Sequence, residues 1–98
     1  MTDQIILVVD DDSKIRSLLR NVLENDGFGV VEAENSTDVM AAIAASDISL
    51  ITLDLNLGAE SGIDLARQIR RASHVPIIMV TGKEDVIDRV VGLEVGAD

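Results

Sequence analysis

Four short, largely apolar runs, each followed by a stretch of helical periodicity, dictate what this chain can fold into. The runs are Gln4 to Val9, Phe28 to Ala33, Ile48 to Leu53 and Pro76 to Val80. Strands that alternate with helices form parallel sheets, because each return to the start of the next strand needs a crossover that packs on a sheet face. The expected fold is therefore α/β, a doubly wound parallel sheet with helices on both faces. Its 98 residues make one small domain, spanning 1–98.

The helix signals lie between the runs. Asp12 or Ser13 can cap a first helix whose stripe is Ile15, Leu18, Leu19, Val22 and Leu23, with Gly27 at its C′ position. Ser36 is the expected cap of a second helix that turns Val39, Met40 and Ile43 inward. A third runs from about Ser61 to Arg71 with Ile63, Leu65, Ala66 and Ile69 as its stripe. A fourth covers Glu84 to Val95 and is stopped by Gly96. Phe28 to Ala33 is the weakest strand and belongs at a sheet edge. Ile48 to Leu53 suits a central strand buried on both faces, and Pro76 is tolerated at a first strand position.

Composition narrows the function classes. Phe28 is the one aromatic in a chain that is 47% hydrophobic, so the core must be aliphatic. Eighteen acidic against eight basic residues give a formal charge of −10, which repels a phosphate backbone and speaks against direct nucleic-acid binding. No apolar run approaches a membrane span, and no signal peptide opens the chain. The absence of cysteine excludes a disulfide scaffold and any thiolate metal site. A cytoplasmic location fits these features.

The chemistry sits at the strand ends. Asp10, Asp11 and Asp12 follow the first run, Asp54 the third and Thr81 the fourth. An Asp at a strand end can simply open a turn, but in a parallel sheet all three ends converge on one rim, where such sheets bind ligands. Carboxylates about 5 Å apart repel by roughly 3 kcal/mol per pair at an effective dielectric near 20. A hard divalent cation relieves that repulsion, and oxygen-only donors favour Mg²⁺ over zinc. The Thr81 hydroxyl could donate to an anion beside the metal.

The segments VVDDDSKIR, LITLDLNLGAESG and PIIMVTG resemble, in order and spacing, the receiver domain of two-component response regulators. DVIDRVVGLEVGAD is similar to the fourth-helix region of the OmpR/PhoB subfamily. The resemblance implies a flavodoxin/CheY-like fold of strand order 2-1-3-4-5. This chain would hold 2-1-3-4 of it, with the fifth strand, its lysine and aromatic switch residue, and the fifth helix missing beyond Asp98. It implies that Asp54 accepts a phosphoryl group from a sensor histidine kinase, without the chain being an enzyme in the ordinary sense. Asp10, Asp11, Asp54 and the backbone carbonyl of Asn56 would hold Mg²⁺, with Asp11 the more direct ligand of the acidic pair. Thr81 would be the switch hydroxyl, Asp12 a helix cap, and the output a DNA-binding domain outside this chain.

Gly58 stands where the family usually has Pro, and the exchange is expected to loosen the loop after Asp54. Ser61 stands where an acidic or amide residue is common, with little expected consequence. A fourth strand left at the edge, Ile77 to Val80, would favour self-association. Two other classes stay open. One is a pseudo-receiver that acts only as a protein-binding module. The other is a Mg²⁺-dependent phosphohydrolase of the haloacid-dehalogenase type, which needs DxDx[TV] after its first strand, whereas Asp54 follows the third. His74 reads as a loop residue, Lys83 as solvated, and Arg67, Arg70 and Arg71 as a solvated face.

Overall fold

The computed structural model describes residues 4–80. The fourth helix, Thr81 and Lys83 lie outside the described residues. The first run forms β1 (Ile5–Val9), followed by α1 (Ser13–Asn25), β2 (Gly29–Ala33), α2 (Ser36–Ala45) and β3 (Ile48–Asp54). Two two-residue strands follow, β4 (Asn56–Leu57) and β5 (Glu60–Ser61), then α3 (Gly62–Ala72) and β6 (Ile77–Val80). The main sheet is parallel with order β2-β1-β3-β6. With β6 as the fourth long strand, this is the expected 2-1-3-4 order. The edge position of β2 and the central position of β3 also agree.

Strand alternation divides the sheet into two faces. Leu7, Val9, Ile51, Leu53, Ile77 and Met79 join Val39 of α2 and Leu65, Ala66 and Ile69 of α3 in one aliphatic core. Ile6 and Val8 are also buried but point to the opposite face, where α1 lies against β1 and β2. On that face the register sets Val8 beside Thr52 and Thr52 beside Ile78. Burial declines along this row, from 0% exposure at Val8 to 39% at Ile78. β3 thus buries Ile51 and Leu53 on the α2–α3 face and leaves Thr52 half-buried on the other, which corrects the expectation of burial on both.

The helix caps explain further differences. Asp12 caps α1, its side chain accepting the Lys14 N–H at 2.9 Å, and Gly27 follows the C-cap Asp26 with φ 94°. α2 is capped by Asn35, not Ser36, because Asn35 Oδ1 accepts the Asp38 N–H at 2.9 Å. Ser36 is therefore free to bond elsewhere. Ser61 caps α3 through Asp64 N–H. The face of α1 is turned from its expected orientation, and one residue of the expected α3 stripe, Ile63, is not buried. α1 carries no buried residue, and Ile15, Leu18 and Val22 are exposed. Its Arg16 and Arg20 lie along β2 instead: Arg16 Nε meets Glu32 at 3.0 Å, and Arg20 Nε meets the same carboxylate at 2.8 Å. Arg20 also donates to the Val30 carbonyl, so these two arginines fix the helix's rotation. On α3, Ile63 is exposed because it lies about 200° around the helix from Leu65.

Candidate functional site

Asp10 is the one buried charged residue among those described, with 8% exposure. Its position follows from β1, which ends at Val9 between β2 and β3; Asp10 N–H still donates to the Ala33 carbonyl of the β2 end at 3.1 Å. Its own carbonyl accepts from Arg16 Nη1 at 2.6 Å, and Oδ1 accepts the Asp12 N–H at 2.9 Å. Asp54 closes β3 one strand away, where its Cα is in register with Val80 of β6. One carboxylate oxygen each from Asp10, Asp11 and Asp54 lies within 4.8 Å of the others. The rim expected from the strand ends is therefore assembled for these three residues. Asp12 turns away to cap α1, as expected, and Thr81 lies outside the described residues.

Burial is the main force on both inner carboxyls. It raises the Asp10 pKa above its ordinary value, opposed by the Asp12 N–H and reinforced by the charges of Asp54, Asp11 and Asp12. Burial likewise raises Asp54, opposed by the Asn56 N–H and reinforced by Asp11. Asp10 also lowers Asp54 through a side-chain hydrogen bond while Asp54 raises Asp10. Both carboxyls are thus harder to ionise than free ones, a cost that a bound cation would relieve.

The loop after Asp54, where Gly58 stands in place of the usual Pro, forms a small antiparallel hairpin. Asn56 pairs with Ser61 and Leu57 with Glu60, and Leu57 is buried in the core. Gly58 turns the hairpin with φ 67°, a left-handed value that the fixed φ of proline cannot reach. The tip passes over the rim, since a Cβ on Gly58 would lie 3.5 Å from Asp11 Oδ2. Asn56 is exposed, and its N–H donates to Asp54 Oδ1 at 3.3 Å. Gly62 closes the base of the hairpin, donating its N–H to the Leu55 carbonyl at 2.8 Å. Sequence reasoning missed Glu60: both of its carboxylate oxygens accept from Ser36, one from the N–H and one from the hydroxyl, each at 2.8 Å. The signal available was a carboxylate in a turn with no metal or catalytic spacing, which does not reveal a partner 24 residues away. His74 is exposed, as expected, whereas Arg70 is half-buried and donates to the Ser73 carbonyl at 3.1 Å.

Comparison with known proteins gives a consistent result. A family model described as the response regulator receiver domain matches residues 6–98. The chain is 44% identical over 93 residues to the transcriptional regulatory protein ResD of Bacillus subtilis, and 34% identical over 93 residues to the aerobic respiration control protein ArcA of Escherichia coli. Each alignment covers 95% of this chain but 39% of the relative, so the chain spans about two fifths of the length of these curated relatives. Among solved structures, the response regulator TrrA of Thermotoga maritima, in complex with Mg²⁺–BeF, superposes with a TM-score of 0.76 at 32% identity. That match covers 83% of this chain and 71% of TrrA. A receiver protein from Pseudomonas putida gives 0.80 at 33% identity, covering 98% of this chain and 82% of the other.

Proposed function

Because the chain belongs to the response regulator receiver family, we propose that it takes a phosphoryl group onto Asp54 from the phosphohistidine of a sensor histidine kinase. The observation that carries this reading is Asp54 at the end of β3, within 4.8 Å of Asp10 and Asp11. An Asp54 oxygen forms the new bond to phosphorus as the phosphorus–nitrogen bond breaks, and the electron pair returns to the imidazole. A carboxylate is a weak nucleophile, so the donor must already be high-energy. The charge on residue 54 then grows from one to about two, which gives the switch its driving force.

The donor set fits Mg²⁺, as oxygen-only ligands crowded on a desolvated rim suit a hard cation. Asp10, Asp11, Asp54 and the Asn56 carbonyl would hold it, and Thr81 would supply the switch hydroxyl. Bound there, Mg²⁺ would neutralise charge on the oxygens of the transferring phosphoryl group. The chain acts in this reading as a phosphoacceptor. Residues 1–98 are the receiver portion of a cytoplasmic regulator whose output domain binds DNA. Self-association through the β6 edge completes the reading of its partners.

The deciding experiment treats the protein with a small-molecule phosphodonor and Mg²⁺ and reads phosphate incorporation by mass spectrometry. Wild type is expected to gain one phosphate and Asp54→Asn none. Equal incorporation in the two proteins would overturn the assignment.

A further inference from the structure

We propose that Glu60 is a positioning residue for the metal-holding loop: by fastening the β4–β5 hairpin to the start of α2, it fixes the Asn56 backbone. The proposal rests on the Mg²⁺ reading of the Asp10, Asp11 and Asp54 cluster. A hairpin of two residues per strand cannot hold its own shape in water, so its geometry depends on what anchors it. Leu57 anchors one side in the core. Glu60, its cross-strand partner, anchors the other by accepting two 2.8 Å hydrogen bonds from Ser36. Two bonds to one residue fix direction as well as distance. The start of a helix also favours a carboxylate.

Ser36 can serve in this way because Asn35 performs the capping. The ladder then carries the constraint inward. Glu60 faces Leu57, Leu57 adjoins Asn56, and Asn56 bonds to Asp54 only through a 3.3 Å contact. Without the anchor, the hairpin loses its two hydrogen bonds to the start of α2, and the Asn56 backbone and the Gly58 tip lose that restraint. Ligand-orienting residues of this kind typically change metal affinity by about 10–100-fold.

Calorimetric titration of the purified protein with Mg²⁺ tests this. Glu60→Ala is expected to weaken binding about tenfold, and Ser36→Ala, which loses one of the two bonds, about threefold. Glu60→Gln should retain most of the affinity, since its amide oxygen accepts the Ser36 N–H and its amide nitrogen donates to the hydroxyl. The double variant Ser36→Ala, Glu60→Ala should bind no more weakly than Glu60→Ala. Wild-type affinity in Glu60→Ala, or losses that add in the double variant, would overturn the proposal while leaving the metal reading intact. Absence of Mg²⁺ binding in wild type would instead overturn both. If Glu60→Ala does not fold, the contrast between a weakened Ser36→Ala and a near-normal Glu60→Gln decides the matter, and equal affinities overturn it.

Discussion

At the scale of the residue, the rim is a place where charge is held at a cost. The pKa of Asp10 and that of Asp54 are both raised, first by burial. A carboxyl with a raised folded-state value keeps its proton where the unfolded chain has already lost it. The cost of ionisation is therefore absent below the unfolded pKa near 3.8 and appears as pH rises through the raised folded values. Asp10→Asn should stabilise the metal-free protein at neutral pH by roughly 1 kcal/mol, the scale of one well-screened carboxylate contact. The advantage should shrink as pH falls toward the unfolded value, and Mg²⁺ should favour the wild type. Urea unfolding across pH, with chelator or with Mg²⁺, checks both signs. These residues were legible because a strand end fixes where a side chain goes. Glu60 was not, because its role depends on which helix start the folded chain brings beside it.

Elements were legible to the extent that burial alone shaped them. β1 and most of the α3 stripe were recovered because their apolar residues match what they bury, and β3 and β6 were placed correctly although each leaves one face partly open. α1 was misoriented because its sequence offers two faces, and its ion pairs with Glu32 prevail over the Ile15, Leu18 and Val22 stripe. The hairpin was missed because two-residue strands have no periodicity to read. Its junction with α3 nevertheless depends on a single glycine. A Cβ on Gly62 would clash with the Asp54 carbonyl and lie 2.8 Å from Leu55 Cα, both backbone atoms that cannot move aside cheaply. Gly62→Ala should lower stability by about 2–3 kcal/mol, the upper part of the usual overpacking range. Thermal or urea denaturation measures this directly; an unchanged midpoint would mean that the α3 start relaxes freely.

For the molecule as a whole, the topology was legible from βα alternation, and the uneven cover of the sheet was not. α1 lies over β1 and β2, and the Val8–Thr52–Ile78 row becomes more exposed toward β6. β6 is an outer strand among the described residues. An outer strand with Ile78 exposed invites pairing with another copy. The protein is expected to sediment as more than a monomer at tens of micromolar concentration, on the order of where weak interfaces populate. Ile78→Lys should shift it toward the monomer, and a wild type that stays monomeric across concentration would refute the idea. The centre of the sheet has the opposite character. β3, like β1, is hydrogen-bonded to a neighbour on each side, so the carboxylate at its end stands on a strand held from both directions. A charge added there cannot be relieved by withdrawing the strand, and the strain must be relaxed outward, by the loops that frame it.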